Sequence, residues 1–143
     1  MAGPFVTEEM FEVVVRYVER TMKSGLSTLM VLKPEDKEKE LRYKDSIKEI
    51  HSQWSQPNWK ESNELIRVAT KWDSAAGMRV IDWPLYRTSL LENYMKGWDI
   101  QDEGGKTVPC VKEYIDKLDP NVASALVDEF LSKTTPTEKE LGE

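Results

Sequence analysis

The segment Trp98–Pro109, which reads WDIQDEGGKTVP, constrains the fold of this chain most, because an apolar helical pattern runs into it and another runs out of it. It holds three carboxylates, on Asp99, Asp102 and Glu103, and it ends in a proline, which cannot continue a helix. Gly104-Gly105 permits positive φ in the middle of the segment. This composition predicts an acidic, exposed turn between two helices.

Length and charge restrict the class of protein. The chain has 143 residues, which fits one domain of ordinary size that can bury a core. A formal net charge of -6 and the lack of a dense Lys/Arg cluster argue against nucleic-acid binding. The sequence contains no apolar run long enough to span a membrane, and its first residues lack the features of a signal peptide. We therefore expect a folded protein with no membrane partner that stays in the compartment where it is made.

The N-terminal quarter gives conflicting signals. Apolar residues recur at helical spacing after Thr7, a good N-cap, and Gly25 stands where a helix would end, so the pattern predicts a helix between them. The β-branched run Val13–Val15 would be equally comfortable in a strand. Leu26–Leu32 is short and apolar, which suits a single buried strand or an extended connection.

Most of the remaining chain also shows helical spacing. A helix opening at Pro34 would present an apolar face made of four residues, Tyr43, Ile47, Ile50 and Trp54. Further helices are predicted over Lys60–Trp72, from Pro84 to Trp98, around Val111–Leu118 and from Asp119 onward, with a brief extended segment at Met78–Trp83. The fold predicted is mostly α, a compact bundle of about six amphipathic helices with at most one or two short strands.

The two ends of the chain are predicted to lie outside the helical domain. We expect residues 1–6 to form a flexible arm, residues 7–132 a single helical domain, and residues 133–143 a polar disordered tail that contains a proline.

No catalytic, cofactor-binding or metal-binding residues emerge from the sequence. Cys110 is the only cysteine and is better explained as a small apolar filler than as a nucleophile. His51 is the only histidine, and neither a Cys/His cluster nor a zinc-protease spacing accompanies it. Residues 99–104 imitate the start of a calcium loop, but Cys110 stands where the bidentate carboxylate is needed. We therefore expect no enzyme activity and no cofactor.

The Trp98–Pro109 segment and its flanks resemble a group of small tailed-phage proteins. The residues that carry the resemblance are Tyr86-Arg87, Leu90-Leu91, Tyr94-Met95, Gly97 through Pro109, Val111, Ile115, Leu118-Asp119-Pro120 and Val122-Ala123. In those proteins a helix ends in a Trp-Asp/Asn-hydrophobic segment, an Asp-Glu-x-Gly-Lys-x-Val/Leu-Pro turn follows, and two helices close the chain. The match covers about residues 83–133, and several of those proteins are regarded as tail assembly chaperones.

The resemblance implies a non-catalytic protein that binds tail proteins, the tape measure or the tail tube, during assembly in the bacterial host cytoplasm, and it does not exclude a homo-oligomer. Aromatic anchors dominate many protein interfaces, so Trp54, Trp59 and Trp83 are the predicted partner contacts. The acidic residues Asp99, Asp102 and Glu103 are a second candidate, facing a basic partner surface, although turning the chain is their simpler role.

Two other functions stay open from the sequence. An acidic phage-encoded inhibitor could block a basic channel of a host defence complex by charge complementarity. A structural virion subunit, in a connector or baseplate, would fit the same resemblance and would place the protein in the virion.

Overall fold

A computed structural model describes residues 4–135 of the chain. The elements in chain order are β1 (Phe11–Thr21), β2 (Ser27–Leu32), α1 (Lys37–Arg42), β3 (Lys48–Trp54), α2 (Trp59–Ala69), β4 (Thr70–Asp73), β5 (Met78–Ile81), α3 (Trp83–Tyr94), β6 (Met95–Trp98), α4 (Lys112–Ile115) and α5 (Pro120–Thr134).

The prediction of a mostly α bundle is wrong. The described residues form a four-stranded antiparallel sheet in the order β2-β1-β3-β6 and a separate two-stranded sheet, β4-β5. Helices α3 and α5 pack against one face of the larger sheet, so the fold is a mixed one with a helix layer on a sheet.

β1 replaces the helix predicted between Thr7 and Gly25. Val13 and Val15 are buried under the helix layer, as strand alternation requires, but Val18 on the opposite face is also fully buried. A central strand covered on both faces is apolar at odd and even positions, and such a run also satisfies helical spacing. The β-branched run at its centre was the correct signal.

β3 replaces most of the helix predicted after Pro34. That helix is limited to α1, and the chain then becomes extended. Ile50 and Trp54, which were assigned to one helical face, lie on the same face of a strand because they are an even number of residues apart. A spacing of four residues therefore fits one face of a helix and one face of a strand equally well.

The helix layer is held to the sheet by an aromatic stack. The ring of Phe130 on α5 stacks on Trp54 at a centroid distance of 4.5 Å and on Phe11 at 5.8 Å. The three rings join α5, β3 and β1, so they fix the helix layer over the centre of the sheet.

The opposite face of the sheet is partly covered by the chain between β2 and β3. Arg16 of β1 forms an ion pair with Glu40 of α1, and the guanidinium of Arg20 lies over the ring of Tyr43 at 5.8 Å. These contacts shield Val18 and Leu32, whereas the part of this face around His51 stays open.

Several local predictions are confirmed. Helix α2 lies within the predicted 60–72 region apart from its first residue, and it begins with a capping box between Asn58 and Glu61. Helix α5 begins after the predicted N-cap Asp119, and β5 lies in the predicted extended segment. The helix predicted to reach Trp98 instead ends at Tyr94, because β6 continues the chain as a partner for β3.

The predicted arm and tail fall partly outside the described residues, which exclude 1–3 and 136–143. Helix α5 extends through Thr134, so the predicted polar tail begins two residues too early. Within residues 4–135 no helix has the length and apolar character needed to cross a membrane.

Candidate protein-binding surface

Trp54, the first of the predicted partner contacts, lies in the core. Its side chain is fully buried, and its indole Nε1 donates to Ser52 Oγ at 2.8 Å, while that hydroxyl donates to Val13 O. The ring of Trp54 is packed inside the domain and its N–H is hydrogen-bonded there, so no part of the side chain is exposed to a partner.

Trp59 and Trp83 are on the surface but far apart along the fold. Helices α2 and α3 run antiparallel, since the N–H of Asp82 donates to Ala69 O at one end and Glu61 and Tyr94 line the same groove at the other. Trp59 begins α2 and Trp83 begins α3, so they occupy opposite ends of the helix pair. The structure does not bring them together.

Strands β4 and β5 form a hairpin that extends from the end of the helix pair where Trp83 lies. Their register pairs Thr70 with Ile81 and Asp73 with Met78. The turn is closed by Asp73, whose Oδ1 accepts from two following N–H groups, and by Gly77 at φ +66. The principal contacts of the hairpin are between its own two strands, so it projects from the domain.

The hairpin and its helix junctions concentrate exposed apolar side chains. Six of the fifteen large hydrophobic residues exposed in the described chain lie within residues 66–85. We call this set the hairpin platform; its members are Ile66, Val68, Trp72, Met78, Trp83 and Leu85. Trp72 is 65% exposed and Trp83 58% exposed. Trp72 pairs with Arg79 and Met78 with Asp73, so these two side chains lie on opposite faces of the hairpin and the set covers more than one face. Exposed Trp and Met side chains are enriched in protein interfaces.

Charges on the same segment are nearly balanced. Lys71 Nζ lies 3.2 Å from Asp82 Oδ2, and Arg67 pairs with Glu64 on α2. Asp82 also caps α3 by accepting from Leu85 N, and this backbone bond, followed by the bond from Lys71, lowers the pKa of its carboxyl. The Lys71–Asp82 pair holds the base of the hairpin, while Arg79, which pairs with Trp72 in the ladder, forms no ion pair among the described residues.

The acidic residues of the 98–109 segment are engaged in local structure. Asp99 Oδ1 accepts from His51 N at 2.8 Å and so extends the pairing between β6 and β3. Asp102 Oδ1 accepts from Gly104 N and Lys106 N, and Gly105 adopts φ +79, which shapes an exposed turn. Glu103 is exposed in that turn. The exposed turn is confirmed, but it connects a strand to α4 and not two long helices.

His51 lies among carboxylates on the open face of the sheet. Its Nδ1 is 3.3 Å from Glu12 Oε1, and its Nε2 is 3.6 Å from Glu49 Oε2. The hydrogen bond to Glu12 is the main cause of a raised pKa for the imidazole, and the charges of Asp99 and Glu49 add to it. Among the described residues no group of three or more His, Cys, Asp or Glu side chains has an arrangement that could hold a metal ion.

A groove of about 470 Å³ separates α2 and α3, and it ends at Tyr94. Burial, followed by the negative charge of Glu61, raises the pKa of Tyr94 to about 12, so its hydroxyl stays protonated. Burial also raises the pKa of the nearby Cys110 thiol, which packs against the core. At neutral pH both groups are therefore in their neutral, less nucleophilic forms.

Sequence reasoning did not identify Trp72 as a candidate partner contact, because Trp72 fits the apolar face of a predicted helix that includes Leu65 and Val68. A signal for the hairpin was present. Asp73 and Gly77 bound a short turn of small residues, and the residues on either side can form two four-residue strands.

We compared the chain with protein-family models, curated proteins and solved structures, and none of them matches it. The likeness to tail assembly chaperones accordingly stays a prediction from the sequence.

Proposed function

We propose that this protein is a non-catalytic assembly factor that binds another protein through the hairpin platform, and that its partner is a phage tail protein such as the tape measure. The observation that carries the binding role is the set of exposed apolar side chains on the projecting hairpin, which includes Trp72, and at the start of α3, which includes Trp83. The resemblance over residues 83–133 supports the choice of partner.

The platform suits one class of partner surface. Trp and Met side chains bury large areas on contact, and Met adapts its shape to irregular surfaces. Lys71 is already paired with Asp82, whereas Arg79, opposite Trp72, forms no ion pair among residues 4–135, so the partner should present apolar side chains with a carboxylate near Arg79. The apolar stripe of an amphipathic helix, which a tape-measure chain would present repeatedly, meets this requirement.

The test is co-expression with the tape-measure protein encoded in the same genome, followed by pull-down and a solubility assay of the partner. The informative variant is Trp72→Ala combined with Trp83→Ala, since both side chains are exposed and their loss should leave the fold intact. Trp59→Ala is the matched control, because Trp59 is 82% exposed but lies at the far end of the helix pair.

We expect the wild-type chain to keep the partner soluble, and we expect the double variant to lose at least about tenfold in affinity while Trp59→Ala retains it. Equal loss in all the variants would move the binding surface away from the hairpin. No interaction with any tail protein would contradict the assembly role, and a defence-complex inhibitor or a virion subunit would then be tested next.

A further inference from the structure

The β4–β5 hairpin has two faces that differ in chemistry. Residues opposite each other in an antiparallel pair, and residues two apart along a strand, lie on the same face. We call one of these sets the Trp72 face; its members are Thr70, Trp72, Arg79 and Ile81. The opposite face carries Asp73, whose carboxylate accepts from two N–H groups of the turn. The Trp72 face itself therefore includes a cation but no acidic residue.

A concave site of about 450 Å³ adjoins the Trp72 face. It is lined by Thr70 and Trp72 and by three cationic side chains, those of Arg67, Lys71 and Arg79. No carboxylate of residues 4–135 lines this site. The complement of such a site is a group that joins apolar surface to negative charge.

The three cations differ in how far they are already neutralised. Arg67 donates to both carboxylate oxygens of Glu64, and Lys71 pairs with Asp82 at 3.2 Å. Arg79 is exposed, and within residues 4–135 its side chain forms no ion pair and no hydrogen bond and lies over no aromatic ring. Its guanidinium donors are free to bind a carboxylate in the bidentate geometry that this group favours.

The free guanidinium lies directly beside an exposed indole. Trp72 is 65% exposed and stands opposite Arg79 in the ladder, where Cβ atoms are about 4.5–5.5 Å apart. Residues three or four apart on a helix have Cβ atoms about 5–6 Å apart, whereas same-face residues of a strand are about 7 Å apart. The spacing of the indole and the guanidinium therefore matches two neighbouring side chains on one face of a helix.

We propose that the Trp72 face recognises a pair of side chains on the partner helix. One is an apolar residue that packs on Trp72, and the other is an Asp or Glu three or four residues away that binds Arg79. This proposal rests on the proposed function, since it takes the bound segment to be a helix, and it adds the sequence spacing that the segment must carry.

The pair provides specificity as well as contact. Amphipathic helices all present an apolar stripe, so packing on Trp72 alone would not discriminate among them. A helix with Lys at the second position would place a like charge against Arg79, in a site that Lys71 and Arg67 also line. Arg79 is therefore the residue that selects among apolar helices.

The test is an NMR titration of the full chain with helix-stabilised synthetic peptides, followed at the Trp72 indole N–H. The first peptide carries Leu at position i and Glu at i+4, and we expect a dissociation constant below about 1 mM. Gln at i+4 should weaken binding about threefold and Lys about tenfold. Glu moved to i+2 should bind as weakly as the Gln peptide, because that position points away from the shared helix face.

Arg79→Glu provides a variant whose effect cannot be produced by misfolding. It should reverse the preference, so that the Lys peptide binds more tightly than the Glu peptide. Arg42→Glu is the matched control, because Arg42 is also exposed and free of ion pairs within residues 4–135 but belongs to α1. This control makes the same change in net charge and should keep the wild-type preference.

Four results would overturn the proposal. They are no binding of the Glu peptide up to about 1 mM, equal affinity for the Glu and Lys peptides, the same reversal in Arg42→Glu, and tighter binding of a short oligothymidylate at Trp72 and Arg79. The last result would assign the face to a nucleic acid.

The pull-down of tail proteins is a separate readout. If the pull-down depends on Trp72 but the peptides show no preference that Arg79 controls, this proposal fails and the assembly role stands. If the peptides behave as expected and no tail protein binds, the recognition pair stands and the identity of the partner is wrong.

Discussion

Trp54 and Trp72 carry the same side chain in opposite environments. Trp54 is enclosed between the sheet and α5, stacked on Phe130 and bonded through its nitrogen to Ser52. Trp72 stands on a projecting hairpin and is 65% exposed. Both fit an apolar helical stripe in the sequence, so residue type and spacing did not distinguish a core residue from a candidate contact.

The comparison shows where each region obtains its stability. The sheet and helix layer depend on burial and on satisfied polar groups inside the core. The hairpin depends on its own ladder, on the turn at Asp73 and on the Lys71–Asp82 pair. Substitutions in the core should therefore lower the free energy of unfolding strongly, whereas substitutions on the hairpin should lower it little and weaken partner binding.

The largest effect is expected from Trp54→Ala. Removal of a fully buried indole leaves a cavity against Phe130 and should lower the free energy of unfolding by about 3–5 kcal/mol. Urea unfolding monitored by circular dichroism measures the change. A loss below about 1 kcal/mol would mean that the core does not depend on this ring.

Ser52→Ala should have an intermediate effect. The hydroxyl donates to Val13 O and accepts from Trp54 Nε1, and its loss leaves the buried indole N–H without its acceptor. We expect a loss of about 1–3 kcal/mol in the same urea experiment. Ser89→Ala, a change at another buried serine, serves as the control for loss of the hydroxyl's volume.

Asp82→Ala tests the base of the hairpin. It removes the cap of α3 and the pairing with Lys71, so we expect a smaller loss of stability than for Ser52→Ala. Asp82→Asn keeps a side chain that can cap the helix, so it should lower the free energy of unfolding less than Asp82→Ala. Because the folded-state pKa of Asp82 is lowered, its contribution is present above the unfolded pKa and disappears as pH falls through the folded value, which unfolding at acidic pH would show.

Trp72→Ala should leave stability within about 0.5 kcal/mol of the wild type while it weakens partner binding. This combination is the reverse of the one expected for Trp54→Ala. Thermal unfolding and the pull-down on the same preparation measure both quantities. A large loss of stability would place Trp72 in the structural core and contradict the platform.

The smallest effect is expected at His51, on the open face of the sheet. Since its folded-state pKa is raised, it stabilises the fold below the unfolded value of 6.5, and this contribution disappears as pH rises through the folded pKa. Glu12→Gln removes the carboxylate that is the main cause of the raised His51 pKa, so an NMR titration should find a lower pKa for this variant. An unchanged pKa would show that the contact with Glu12 does not persist in solution.

The sequence predicted caps and turns more reliably than it predicted whole helices and strands. The predicted cap Asp119 and the glycine turn at Gly105 lie where residue chemistry placed them, because those interactions involve neighbours in the chain. The two long strands were misassigned because their apolar spacing also fits a helix. Burial on both faces of β1 removed the alternation that identifies a strand.

The sequence by itself determined the cap at Asp119, the exposed acidic turn and the helices α2 and α5. Only the tertiary structure decided that Phe11–Thr21 is a strand, that Trp54 is core and Trp72 surface, and that β2 ends the sheet. The reason is physical. A cap or turn is stabilised within a few residues, whereas a strand and its burial depend on partners distant in the chain.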